Sequence, residues 1–252
     1  MRPIGFSTGA LACGDFESAL RMLRAPVYTA CELSALREEE LAPLLAALGR
    51  LDLARFRYVA IHAPSRLERL AEADVVRALS SEAARELPVV CHPNVLATPE
   101  TWRPLGRRLL IENMDKRKPI GRTVAELAPL FEALPDAGFC FDLGHARQVD
   151  PTMTVASELL DAFGDRLRQL HVSEVNSSNV HEALGLPAIS SFRKIARRIP
   201  AGVPLILETP VGADALESEL SHALVALGGT DEIPMRSGQH LGGCPAPTIW
   251  RR

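Results

Sequence analysis

The stretch FDLGHAR, residues 141–147, places a carboxylate and an imidazole three residues apart at the end of an apolar run. Phe139, Cys140 and Phe141 run straight into Asp142, and His145 follows past Leu143 and Gly144. Such a run, bounded by glycine, reads as a strand buried on both faces. A buried strand ending in Asp, with a histidine one turn on, is the start of a metal site. It can equally be an N-cap aspartate followed by a surface histidine. The same pattern recurs. Glu32, His62, His92, Glu112, Asp142, His171 and Glu208 each close a short apolar run, and His145 and His181 follow in loops. Histidine is only 7 of 252 residues, so three at run ends is a concentration. Imidazole and carboxylate together suit zinc first, with manganese, cobalt or iron(II) as alternatives. Four carboxylates brought together in a half-buried mouth also need cations to neutralise them.

Eight apolar runs carry these ends: 4–8, 27–33, 57–62, 87–92, 107–113, 138–143, 167–172 and 203–209. Amphipathic stretches with helical spacing lie between most of them, at 38–48, 71–84, 123–134, 154–163, 190–199 and 213–227, with a brief helix at 99–105. Strand and helix alternating eight times predict a (β/α)₈ TIM barrel, a single domain over residues 1–227. The first run lacks a Gly-x-Gly-x-x-Gly turn that would favour a doubly wound sheet. Residues 228–252, rich in Gly and Pro and without periodicity, read as an extended or disordered tail. In a barrel the strand ends meet at one mouth, which is where chemistry is done. Arg66, Lys116, Arg117, Lys118, Arg122 and Arg147 lie in the loops just beyond and suit an anionic substrate such as a phosphate ester. Glu32, Arg66, Lys116, Arg117 and Arg147 are the candidate substrate contacts.

Composition sets limits. The chain is 47% apolar and 23% charged with a net charge of −3. No run approaches the length of a membrane span, and the N-terminus has no basic and apolar signal pattern. The five cysteines form no Cys-x-x-Cys pair and read as buried thiols. A cytoplasmic protein without a membrane partner is expected. The charge gives no footprint for nucleic acid.

The motifs HAPS (62–65), HPN (92–94), IEN (111–113), DLGH (142–145), HVSEVN (171–176), NVHEALG (179–185) and ETP (208–210) together resemble the xylose isomerase-like TIM barrels. Their order and spacing are closest to the endonuclease IV (apurinic endonuclease family 2) branch. The resemblance implies that His62, His92 and a bridging Glu112 hold a first metal, and that Glu112, Asp142, His171 and Glu208 hold a second. It implies a third at His145 and His181 with an aspartate two residues before the second histidine. That position is Asn179, so the third site loses its only carboxylate. The family's DNA-engaging segment after the second strand is basic and aromatic; here it reads ELSALREEE, which argues against a nucleic-acid substrate. Two enzyme readings follow. One is metal-activated hydrolysis of a phosphate ester. The other is an aldose–ketose isomerase or epimerase that needs only the second metal set, with Glu112 and Glu208 exchanging a proton with carbon. A barrel that binds metal without turnover is the third reading.

Overall fold

Eight parallel strands close on themselves. In chain order the strands are β1 (Ile4–Ser7), β2 (Ala30–Ser34), β3 (Tyr58–His62), β4 (Val89–Cys91), β5 (Leu109–Glu112), β6 (Gly138–Asp142), β7 (Leu167–Val172), β8 (Glu174–Val175), β9 (His181–Glu182) and β10 (Leu205–Leu207). In this computed structural model, which describes residues 2–228, the barrel order is β1-β10-β7-β6-β5-β4-β3-β2, and β8 and β9 form a small antiparallel hairpin. The expected tail, apart from Gly228, lies outside the described residues. The helices are α1 (Phe16–Met22), α2 (Glu38–Ala47), α3 (Glu72–Leu79), α4 (Pro99–Trp102), α5 (Val124–Ala133), α6 (Leu143–Val149), α7 (Thr154–Phe163), α8 (Leu186–Arg193) and α9 (Leu216–Ala226).

Three helices differ from the periodicity. Helix α1 lies where the pattern predicts none, and Asp15 caps it by accepting from the Ser18 amide at 3.1 Å. Helix α6 begins directly after Asp142 in a segment that reads as a loop. Helix α8 begins at Leu186 rather than 190, because Pro187 falls in its first turn, where a missing N–H costs nothing. No described helix is long and apolar enough to cross a membrane.

Alternation along the strands decides what faces the barrel axis. Phe6, Cys31, Leu33, Ile61, Cys91, Ile111, Phe139, Phe141, Leu170 and Leu207 belong to the large apolar layer between strands and helices. The intervening residues point inward. There Val90, Leu110 and Cys140 form a small apolar cluster, joined by Ala30, Ala60 and Ile206, and seven positions are polar: Glu32, Ser34, His62, Glu112, Asp142, Gln169 and His171, all buried. A register shift between β6 and β7 leaves Arg168 unpaired and brings Gln169 opposite Cys140 and His171 opposite Asp142. His171 and Asp142 therefore stand side by side, both fully buried. Cys31, Cys91 and Cys140 are buried free thiols, and burial pushes each thiol up.

Candidate metal centre

Glu112 ends β5 and is the hub. Its Oε2 lies 3.3 Å from His62 Nε2 and 3.3 Å from His92 Nε2. Its Oε1 lies 3.1 Å from His171 Nδ1 and 3.4 Å from His145 Nδ1. Glu208 Oε2 is 3.5 Å from His171 Nδ1 and 3.8 Å from His181 Nδ1. Donors bound to one zinc at ~2.1 Å stand roughly 3.4 Å apart in a tetrahedron, so these separations fit donors around a cation.

The histidine tautomers strengthen this point. His62 Nδ1 lies 2.7 Å from the Ala63 carbonyl, so that nitrogen carries the proton. Its Nε2 then presents a lone pair to a carboxylate oxygen. His171 Nε2 donates to Glu32 Oε2 at 3.0 Å, and its Nδ1 faces Glu112 Oε1 at 3.1 Å and Glu208 Oε2 at 3.5 Å, which it can meet only as an N–H or across a cation. Acceptor facing acceptor in a buried place repels unless a proton or a cation stands between. Asp142 Oδ2 and Glu32 Oε1 are buried without a hydrogen-bond partner, which points the same way. Among the described residues three donor sets converge: His62, His92 and Glu112; Glu112, Asp142, His171 and Glu208; and Glu32, His62 and Glu208.

Burial and neighbouring charge set the protonation states. Burial pushes Glu208 up to about 8, helped by Glu112, Asp142 and Glu32 and opposed by His171. Burial likewise lifts Asp142 to about 6 against the pull of His145. For Glu112 burial also acts upward, but His171 and hydrogen bonds from three histidines hold it well below the usual range. Burial would lower His145, yet Asp142 and Glu112 bring it up to about 10. His92 is pushed down to about 3 by burial and stays neutral.

Both sequence readings of Asp142 hold together. Its Oδ1 accepts from the His145 amide at 2.6 Å and so caps α6, while Oδ2 faces the donor set. His145 is buried, not a surface residue. Gly144 serves close approach rather than flexibility: a Cβ there would lie 2.6 Å from the Ser173 carbonyl and 2.9 Å from Val175 Cγ2. Asn113, given no role in the sequence reading, pins the end of β6. Its Oδ1 accepts from the Asp142 amide at 2.8 Å, its Nδ2 donates to the Asp142 carbonyl at 2.9 Å, and its own carbonyl lies 2.9 Å from His145 Nδ1. Its place beside Glu112 in IEN is the signal that could have found it. Glu219 on α9 does similar work for the other side, accepting from the Leu184 amide at 3.0 Å and Thr209 Oγ1 at 2.7 Å.

Glu32, a candidate substrate contact in the sequence, is fully buried and does not reach the cavity above the donors; its Oε2 accepts from His171 Nε2 at 3.0 Å. Above the donors opens a cavity of about 540 Å³, lined by His62, His92, Glu112, His145 and Glu208 and rimmed by Arg37, Arg66, Arg69, Arg117 and Lys118 with Glu38, Glu39, Glu68 and Asp115. Arg66 and Arg117 are at the rim as expected, although Asp115 grips Arg117 through Nε at 3.0 Å and Nη2 at 2.7 Å. Lys116 and Arg147 do not line it. The Lys116 side chain is exposed, and Arg147 is held by Glu174 at 3.0 Å and Ser191 at 3.3 Å. Arg37, Arg69 and Lys118 line it although they are not among the candidate contacts. His145 and His181 meet with ring centroids 5.3 Å apart, and neither belongs to a convergent set of three among the described residues. Asn179, in a left-handed conformation, accepts at Oδ1 from the Gln148 side-chain Nε2. The segment after β2 passes through Arg37 directly into α2, where Glu40 Oε2 accepts from the Arg37 backbone amide at 2.9 Å.

Comparison with known proteins agrees with the fold. The family described as xylose isomerase-like TIM barrel matches residues 57–224. The IolI protein solved with a bound zinc atom superposes with a TM-score of 0.64 at 12% identity, over 90% of this chain and 98% of that one. The TTHB071 protein from Thermus thermophilus, soaked with ZnCl2, gives 0.58 at 20% identity, over 90% and 99%. Endonuclease IV from Thermus thermophilus gives 0.55 at 21% identity, over 90% and 99%. No curated protein matches the chain with significant similarity.

Proposed function

The chain belongs to the xylose isomerase-like TIM barrel family, and on that premise we propose that it is a divalent-metal enzyme that hydrolyses a phosphate ester of a small substrate. The observation that carries this is the convergence of His62 and His92 Nε2 on one oxygen of Glu112, each at 3.3 Å. A centre that needed only Glu112, Asp142, His171 and Glu208 would have no use for two further imidazoles aimed at the hub. His62, His92 and Glu112 would hold one cation, and Glu112, Asp142, His171 and Glu208 a second. Zinc suits the nitrogen and oxygen donors best, with manganese, cobalt or iron(II) also compatible. When bound, such a pair supplies Lewis acidity to the phosphoryl oxygens and lowers the pKa of water.

The protein's own groups do the rest. Arg66 and Lys118 on the cavity rim attract and orient the anion. Glu208 lines the same cavity; without metal, burial holds its carboxyl up at about 8, while Glu112 stays anionic. The acidic segment that enters α2 directly supports a small substrate over nucleic acid.

A sugar or sugar-phosphate isomerase or epimerase is the second reading, and one observation favours it. Glu112 and Glu208 are two carboxyls whose surroundings drive them apart, one low and one at about 8, which suits an acid/base pair. Elemental analysis of the purified protein, paired with two assays, separates the readings. Two cations per chain and metal-dependent release of inorganic phosphate from sugar phosphates are expected. One cation, with wash-in of solvent deuterium at carbon and no phosphate release, would overturn hydrolysis in favour of isomerisation.

A further inference from the structure

Glu32 has no exposed surface, and its two oxygens differ in what they meet. Oε2 accepts from His171 Nε2 at 3.0 Å and from Gln169 Nε2 at 2.6 Å, and Gln169 is itself held by the Tyr58 hydroxyl at 2.7 Å. Oε1 has no hydrogen-bond partner. A buried, unpaired carboxylate oxygen is costly and calls for a partner. Donor atoms of Glu32, His62 and Glu208 lie within 4.8 Å of one another. We propose that Glu32, His62 and Glu208 form an inner cation position, alternative to the outer one made by His62, His92 and Glu112. The proposal rests on the two-cation reading above.

His62 is the pivot. Its Nδ1 is committed to the Ala63 carbonyl, so only Nε2 can bind, and the two positions exclude each other. In the outer arrangement Glu112 is the carboxylate shared with the second donor set. In the inner arrangement Glu208 is shared. The charges differ as well. The inner set brings two carboxylates to one divalent cation, whereas the outer set brings one and two neutral imidazoles. The inner position therefore holds its cation without help. The outer one, whose three residues line the cavity while Glu32 does not, leaves positive charge for an anion to meet. Two carboxylates and one imidazole suit zinc, manganese or iron(II).

The test is zinc content in four proteins: wild type, His92→Ala, Glu32→Gln and the double variant. It is read by elemental analysis after dialysis and by competition with a chromogenic chelator. Glutamine keeps an acceptor for His171, so Glu32→Gln should retain two zinc ions through the outer position. His92→Ala should also retain two, the weaker one loosened by less than about tenfold. The double variant should hold one, with the other weakened at least a hundredfold. Wild type holding two while His92→Ala holds one overturns the inner position and leaves the two-cation centre standing. A double variant that binds like His92→Ala does the same. Loss of a zinc ion in Glu32→Gln alone overturns the pair of alternative positions, because the outer one should hold the ion when Glu32 cannot. Fewer than two in wild type overturns the two-cation reading, and this inference with it. Should Glu32→Gln fail to fold by circular dichroism, Glu32→Leu, which also removes the carboxylate, takes its place, with the same expected counts.

Discussion

Replacing Asp142 by Asn separates its two roles. Asparagine caps a helix as well as aspartate does, so the bond from the His145 amide, 2.6 Å in the native protein, survives. The charge facing the donor set does not. In the metal-free protein, burial raises the Asp142 carboxyl from 3.8 to about 6, which amounts to about 3 kcal/mol against the folded state above that pH. Folded Asp142 binds its proton more tightly than unfolded Asp142. Apoprotein stability should therefore fall as pH rises from about 4 to about 6 and stay low above. Asparagine removes that penalty. His145, whose largest attractive partner is Asp142, gives part of the gain back. A net gain of ~1–2 kcal/mol is expected at pH 8 in chelator, or roughly 2–8 °C in Tm for a chain of this size. Zinc, by contrast, should raise the Tm of the native protein more than that of Asp142→Asn, which keeps the ligands of the first cation and loses one of the second. Asp142→Ala should show the same reduced zinc response with ~1 kcal/mol less stability, because the cap goes with it. The assay is a thermal melt across pH 4–9 with chelator and with zinc. Apo Asp142→Asn less stable than the native protein by more than ~1 kcal/mol at pH 8, or an undiminished zinc response, would refute the reasoning.

The other expectations are brief. Gly144→Ala should lose ~1–3 kcal/mol in denaturant unfolding, because its Cβ would meet the Ser173 carbonyl at 2.6 Å; an unchanged midpoint would remove the close-approach argument. Lys118, half-buried on the cavity rim, should matter for anions and not for metals. Lys118→Met should weaken competitive inhibition by inorganic phosphate about tenfold with zinc content unchanged, and equal inhibition would clear it of that role. Asn179→Asp should add a carboxylate beside His145 and His181 and raise zinc content by one, as read by elemental analysis; no increase means that the hairpin geometry, not the missing charge, weakens that position.

What the sequence determines here is what local pattern can carry. Eight apolar runs separated by amphipathic stretches specify a barrel, because strand and helix periods are written in neighbouring residues. Donors such as His62, His92, Glu112, Asp142, His171 and Glu208 are legible as well, since a polar residue closing a buried strand must be paired or bound to something. Depth and company are not legible. Glu32 also closes an apolar run, yet the fold sets it against His171 and Gln169 and off the cavity wall. What a strand end meets depends on its neighbouring strands, and only folding fixes their register. Helix α6 escapes a reading by pattern because a strand ending in its own N-cap leaves no loop for sequence to mark. The cavity rim is legible only in part for a related reason. Arg66, Lys116, Arg117, Lys118 and Arg147 are alike as sequence, and what separates them is where each loop turns and which anion already holds the charge, as Glu174 holds Arg147. Those partners are distant along the chain, and only folding brings them within reach.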